Sequence, residues 1–436
     1  MRHLPQAVAL PSTRAQVADV VRLCHQASIP VVPRGAGTGC VGGSLAVQGG
    51  IILSLQRLNR MLTIAPADRL AVVEPGVVNA DLQARLAQHG LFWPPDPSSA
   101  RSCTIGGNLA MCSAGPNALR YGATRQWVLG LTVILADGST MRVGGKTTKG
   151  VVGYDLTQLL IGSEGTLAIV VEATLKLAPL AQARRTLRAS YRTMEQAALA
   201  VAEVMSQGDP PLALEFLDPA AVTLVRSQHP DICHPDGQAL LLAEVEGSAD
   251  EIEHQAKNLA ERLSRLDPVE VVIATSAEAS KKIWAARYAL SPTLTRMAPK
   301  RINEDVVVPV SALATLITGV TAISQETGVQ IVSFGHAGNG NIHVNLLTDP
   351  TNPAQKPKIT RALEQLFALV LELGGTLSGE HGVGITKRDF IHWELDPCAL
   401  TIQRQIKQIF DPKGILNPGK IFARDETLET NVPHFP

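Results

Sequence analysis

The spacing of apolar residues changes once along this chain, near 177–183. Before that point glycines are dense and apolar positions come in short runs. Ile51 to Leu55, Ala71 to Glu74, Leu129 to Leu135 and Leu167 to Leu177 therefore predict strands. Helical spacing in this half is confined to 13–28, where Val17, Val20, Val21 and Cys24 share a face, and to 79–89. Beyond it, helical windows at 194–207, 249–265, 276–290, 311–327, 355–373 and 399–410 alternate with strand patterns at 212–217, 239–245, 268–273, 302–308 and 329–334. That alternation predicts an α+β unit, one antiparallel sheet with helices on one face. No internal repeat or low-complexity tract stands out.

At 436 residues the chain exceeds one ordinary core and predicts two or three domains at about 100–200 residues each. Lys+Arg and Asp+Glu are both 39 and aromatics only 4%, so there is neither a basic surplus for phosphate backbones nor a platform for stacking bases. Nucleic acid is excluded as a partner on this ground. Apolar stretches such as Val128 to Ala136 fall well short of the ~20 residues that cross a bilayer, so no transmembrane segment is expected. The six cysteines (24, 40, 103, 112, 233, 398) contain no CxxC pair and predict neither a disulfide framework nor an iron–sulfur cluster. With no apolar leader at Met-Arg-His-Leu-Pro-Gln, a cytoplasmic protein is expected, attached to a membrane only through a partner.

Two stretches carry chemistry. The first is Gly335-His336-Ala337-Gly338-Asn339-Gly340-Asn341-Ile342-His343, followed thirty-six residues on by Gly379-Glu380-His381-Gly382. Imidazoles and a carboxylate are N/O ligands for a divalent metal, and a further imidazole is a base that titrates near neutrality. His336 and His343 share a side only if the glycine-rich bend between them reverses the chain. The spacing matches neither HExxH nor paired CxxC, so a metal site and ordinary packing histidines both remain open. The second is the run Val32 to Ser44, with five glycines in nine positions, where successive N–H groups can converge on an anion. It lacks the Gly-Lys-Ser/Thr of a Walker loop and the strand, GxGxxG and immediate helix of a Rossmann unit, which leaves a ligand-free surface loop as the alternative. Further glycine-rich turns follow at 104–108, 121–122 and 162–166.

PRGAGTG at 33–39, PDPSS at 95–99, TIGGN at 104–108, RYG at 120–122, GYDL at 153–156 and GSEGTL at 162–167 resemble the FAD domain of the vanillyl-alcohol-oxidase (PCMH) flavoproteins. WAAR at 284–287, GHAGNGNIH, SGEHGVG at 378–384 and FDPKGILNPGKIF at 410–422 resemble the C-terminal domain of FAD-linked 2-hydroxyacid dehydrogenases, the group of the glycolate oxidase D subunit, D-lactate dehydrogenases and D-2-hydroxyglutarate dehydrogenase. The resemblance covers nearly the whole chain. It implies a PCMH-type FAD domain at 1–180, a ferredoxin-like α+β substrate and metal domain at 181–398, and a C-terminal helix and tail at 399–436 packing back on the FAD domain.

Residue by residue, the resemblance implies FAD contacts at Pro33, Arg34, Gly35, Ala36, Gly37, Thr38, Gly39, Gly43, Ser44, Pro75, Gly76, Thr104, Gly106, Gly107, Ser113, Gly115, Glu164, Gly165, Ile169 and Asn417. Glu164, Gly165 and Ile169 fall on the adenine side. The loop holds no His and has Cys40 where the family carries a small or apolar residue, so FAD is expected to be noncovalent. Metal ligands fall on His336, His343 and Glu380, with zinc first and manganese or iron as alternatives, and the general base falls on His381. Arg287, with its planar fork, and Ser291 one turn later are implied for the substrate carboxylate, with a surface ion pair on a helix as the alternative for Arg287. The implied reaction is metal-assisted oxidation of a small 2-hydroxyacid, glycolate or D-lactate, to the 2-ketoacid. His381 removes the hydroxyl proton and hydride passes to flavin N5.

An external acceptor is then required: an iron–sulfur subunit, quinone, cytochrome or electron-transferring flavoprotein. A homodimer is also compatible. Two departures from the pattern stand out. Met111 to Asn117 is one residue shorter than the usual Asn-Ala-Gly-Gly version, and the chain starts close to the first FAD-domain helix, which suggests a truncated start or a more open channel. The alternatives are a D-2-hydroxyglutarate dehydrogenase and a noncatalytic FAD subunit. The latter predicts a lost metal triad or base, and all four groups are retained here.

Overall fold

The computed structural model describes residues 3–423. The first half contains a three-stranded parallel sheet, with Ile51–Ser54 between Ala7–Ala9 and Val31–Arg34. Against it packs the helix Arg14–Ala27, which buries Val17, Ala18, Val21 and Cys24. Thr13 caps this helix by accepting from Gln16 N at 3.2 Å, so the sequence signal for a start at 13 has a physical basis. A five-stranded antiparallel sheet follows in the order Met61–Ala65, Leu70–Val73, Ile169–Lys176, Val128–Ile134, Thr140–Gly144. Ile169–Lys176 buries every second residue, the signature of a strand with one face on the core. That face, with Ala173 and Leu175, packs against Leu82, Leu86, Ile105 and Leu109 of the helices Asn79–Ala87 and Ile105–Met111.

The second half is built on a seven-stranded sheet in which each neighbouring pair is antiparallel. Its order is Glu270–Ile273, Ala183–Tyr191, Ala239–Gly247, Ala213–Leu217, Gln330–His336, Asn341–Thr348, Lys300–Val307. Leu187, Phe216, Leu241, Ile342 and Val344 face the helices Met194–Met205, Ile252–Ser264, Leu313–Thr327 and Gln355–Glu372. The expectation of helices on one face is corrected here. Leu240, Leu242, Val332 and Phe334 point to the opposite face and are covered by Pro219–Gln228 and Ala277–Met297. Because side chains alternate along a strand, that second face also carries Glu215, Glu244, His336, His343 and Asp305, leaving a polar region beside an apolar one.

The polar region adjoins the first half, where the Tyr121 hydroxyl hydrogen-bonds to Glu246. The chain then returns: the helix Pro397–Phe410 lays Ile406 and Phe410 on the first-half core, and Leu416 bridges to Val31. Within the proposed tail 399–436, residues 424–436 lie outside the described part.

Candidate active site

A hairpin puts the two histidines together. Gln330–His336 pairs with Asn341–Thr348 in a register that sets Phe334 opposite His343 and His336 opposite Asn341. The turn between the strands requires Gly340, at φ +70°, where a Cβ would lie 1.9 Å from Val308 O. Both imidazoles consequently emerge on the polar face, with His343 Nε2 and His336 Nε2 3.5 Å apart. Glu380 comes from the loop after Gln355–Glu372 and places Oε1 3.6 Å from His336 Nε2 and 3.4 Å from His343 Nε2. The three ligand atoms lie within 4.8 Å of one another.

Glu215 supports the group from behind. Its Oε1 meets His336 Nδ1 at 2.5 Å, and its Oε2 accepts from Arg287 Nη2 at 2.7 Å and Nε at 2.8 Å. Burial opposes ionisation of Glu215, but the His336 and Arg287 charges outweigh it and hold the carboxyl at about 2. Burial likewise pushes against a charge on His336, and Glu215, followed by Glu380, reverses this and raises it to about 10. His343 is driven well below its ordinary value by burial and by the charges of His336 and His381.

His381 follows Glu380 directly and stacks on His343, ring centroids 5.3 Å apart and planes at 24°. Its Nδ1 faces Asp305 Oδ1 at 3.4 Å. Burial would raise the Asp305 pKa, but Lys387 and His381 bring it below the usual carboxylate value. Lys387 is itself buried, bonded to Asp305 and donating to Leu377 O at 2.7 Å.

Glu380 and His381 form one wall of a cleft of about 1330 Å³, counting the part open to solvent. The rest of the lining comes from the first half and includes Pro33 to Gly39, Cys40, Gly43, Ser44, Pro75, Thr104, Gly106, Gly107, Ser113, Glu164, Gly165 and Ile169. Among the described residues, none of the N–H groups from Gly35 to Ser44 has a protein acceptor, which is the pattern expected of an anion cradle. A Cβ on Gly35 would sit 2.2 Å from Thr104 Oγ1, so the loop approaches the N-terminus of Ile105–Met111 as no larger residue could. The cleft and its unpaired donors fit a dinucleotide such as FAD.

Of the expected cofactor residues, Gly76, Gly115 and Asn417 do not line the cleft. A Cβ on Gly76 would strike Leu55 O, and one on Gly115 would strike Asp96 O. Asn417 instead donates to Gly43 O at 2.9 Å and Glu164 O at 2.7 Å, bracing two lining loops. Nor do Arg287 and Ser291 reach the cleft wall. Arg287 is buried against Glu215 and over the Phe334 ring, and the Ser291 carbonyl accepts from Arg301 Nη1 at 3.0 Å. Glu215, Asp305 and Lys387 were not anticipated as site residues. The signal for Glu215 and Asp305 was an acid placed inside an apolar strand, Leu-Ala-Leu-Glu-Phe-Leu and Glu-Asp-Val-Val-Val, where an unpaired carboxylate would be costly; Lys387 carries no such signal.

A cleft lined by unpaired backbone N–H groups of the first half thus meets, at Glu380, the imidazole–carboxylate cluster of the second. Residues 5–144 match the model of the FAD binding domain, and 180–421 match that of "FAD linked oxidases, C-terminal domain". The chain therefore belongs to the FAD-linked oxidases. It is 37% identical to the glycolate oxidase subunit GlcD of Bacillus subtilis (strain 168), over 97% of this chain and 90% of that one. It is 36% identical to a D-lactate dehydrogenase of Archaeoglobus fulgidus, over 96% of this chain and 91% of that one. Among solved structures, p-cresol methylhydroxylase superposes with a TM-score of 0.79 at 18% identity, over 96% of this chain and 89% of that one, a likeness of fold.

Proposed function

We propose that the protein oxidises a small 2-hydroxyacid, glycolate or D-lactate, to the 2-ketoacid, with a divalent metal on His336, His343 and Glu380. The observation that carries this reading is that Glu380 and His381 are consecutive, one belonging to the ligand cluster and both to the cleft wall. FAD supplies the hydride acceptor when bound. A divalent metal held by His336, His343 and Glu380 would supply a Lewis acid for the substrate hydroxyl and carboxylate, and zinc suits this N/O set, with manganese or iron as alternatives.

The protein's own part is orientation and proton transfer. Glu215 holds His336 by Nδ1, so that Nε2 faces Glu380 and His343. Asp305 favours a proton on His381 Nδ1, which leaves Nε2 as the base for the hydroxyl proton. Because Arg287 is engaged by Glu215, it aligns His336 through that carboxylate. In this reading the functional units are residues 1–180 for FAD, 181–398 for substrate and metal, and 399–436 for closure of the first unit.

The FAD is noncovalent in this reading: the 33–44 loop has no His, and Cys40 stands where the family usually has a small or apolar residue. The names of relatives such as the GlcD subunit support a partner subunit as electron acceptor. Among the described residues no helix is long and apolar enough to cross a membrane.

The test is anaerobic addition of glycolate, each lactate enantiomer or D-2-hydroxyglutarate to the purified FAD-loaded protein. Bleaching by glycolate or D-lactate is expected. Bleaching by none of them, in protein with full FAD and metal, would refute the reading.

A further inference from the structure

Every backbone N–H from Gly379 to Gly384 donates to a side-chain oxygen. Asp305 Oδ2 accepts from Gly379, Glu380 and His381 at 2.9, 2.6 and 2.8 Å. Ser378 Oγ accepts from Gly382 at 2.9 Å. The Glu164 carboxylate then accepts from Val383 at 2.7 Å and from Gly384 at 2.9 Å.

The two carboxylates come from different halves of the molecule. Asp305 lies on the seven-stranded sheet and is fully buried, while Glu164 belongs to the first half and is 4% exposed. Between them stand Glu380 and His381, so the loop is held from both sides at the point where ligand and base must be set. The geometry at each end is specific. Glu164 sits at φ +54°, an unfavourable backbone for a residue with a Cβ, and it is fixed there by Glu164 N donating to Ala110 O at 2.8 Å and by Asn417. Gly382, at φ +82°, lies so close that a Cβ would be 2.8 Å from Glu164 Oε1.

We propose that Glu164 and Asp305 form a two-sided clasp on the loop 379–384, and that Glu164 is a positioning residue for Glu380 and His381 rather than a contact for the adenine side of FAD. This rests on the proposed reaction for its kinetic consequence, but not for its structural one. A charge-assisted bond to a backbone N–H fixes a loop more firmly than a neutral one, and a displacement of about 1 Å at a reacting group costs on the order of 100-fold in rate.

The experiment compares Glu164→Ala and Glu164→Gln with wild type in the FAD-loaded protein, with Asp305→Asn as a variant at the other end of the clasp. Amide hydrogen exchange over 378–385, FAD stoichiometry by absorbance, and the single-turnover rate of flavin reduction are measured together. Glu164→Ala should speed exchange of this segment at least ~10-fold and slow flavin reduction ~10–100-fold, with FAD stoichiometry near wild type. Glu164→Gln, which keeps one acceptor oxygen, should fall between, and Asp305→Asn should loosen the same peptide.

FAD stoichiometry falling in step with the rate would make Glu164 a cofactor contact and overturn the proposal, as would unchanged exchange in all three variants. If no hydroxyacid reduces the wild-type flavin, the proposed reaction fails while the exchange measurement still decides the clasp.

Discussion

Glu215 is the residue on which most of the metal cluster's geometry depends. It is 1% exposed, carries a negative charge, and divides its two oxygens between His336 and Arg287. A buried charge is tolerated only with its partners in place, and deleting one partner of such a pair costs about 3–5 kcal/mol. Arg287→Met should therefore lower unfolding stability by about that amount in denaturant titrations of the FAD-loaded protein. Its role here is to hold Glu215, so the same change should not act chiefly through the substrate KM. Glu215→Gln should weaken zinc binding by about 10–100-fold in a metal titration, because the partner of a ligating histidine sets its orientation and basicity. Unchanged zinc affinity would show that His336 needs no such support.

Among the secondary elements, Pro219–Gln228 shows how a helix is tied to the site-bearing sheet. Asp218 caps it through Oδ1, accepting from Ala221 N at 2.7 Å, while Oδ2 accepts from Ser333 N on the strand that ends at His336. Burial raises the Asp218 pKa from 3.8 to about 6 in spite of these bonds. A raised folded-state value favours the folded protein fully below the unfolded pKa and is lost as pH rises through the folded one. This group should thus remove on the order of 3 kcal/mol of stability between pH 4 and pH 7. Asp218→Asn should abolish that part of the pH dependence, read as the difference between wild-type and variant unfolding curves across the range. Parallel curves would contradict the assignment.

The elements that the sequence made legible are those whose apolar period is unbroken. The helix 355–373 and the strand 239–245 were expected within two residues of Gln355–Glu372 and Ala239–Gly247. Ala183–Tyr191 escaped because Arg184, Arg185 and Arg188 interrupt its pattern. Those arginines are balanced by Glu244, Glu246, Glu253 and Glu270 on neighbouring elements, partners that only the fold brings near. The motifs around His336, His343, Glu380 and the glycine loop stood out in the sequence, but spacing left packing histidines and a surface loop open; their grouping was implied by the family resemblance, and the fold brings the three ligand atoms within 4.8 Å of one another. Asp305 and Glu164 were not legible as a pair, because a clasp on one loop is made from positions 141 residues apart in the chain.

At the scale of the whole molecule, the two halves meet at the cleft, to which the first gives the glycine-rich cradle and the second gives Glu380 and His381, while His336 and His343 lie behind Glu380 and outside the lining. The second half contributes Glu380 and His381, and the first holds the loop that bears them through Glu164. Neither half alone is complete for the proposed chemistry. The division of labour predicts that cofactor binding and turnover separate by residue. His381→Ala should keep FAD near full occupancy and lower the rate of flavin reduction by ~100–10,000-fold, the range expected for loss of a general base. Loss of FAD in that variant would move His381 from proton transfer to cofactor binding.

The most direct test of the central claim is the rate of anaerobic flavin reduction by glycolate and D-lactate before chelation, after chelation, and after zinc, manganese or iron is returned. The account predicts bleaching in the untreated protein, loss of it on chelation with FAD still bound, and recovery with one added metal in wild type but not in His343→Ala. Full-speed bleaching in metal-free protein would contradict it, leaving His336, His343 and Glu380 as structural groups.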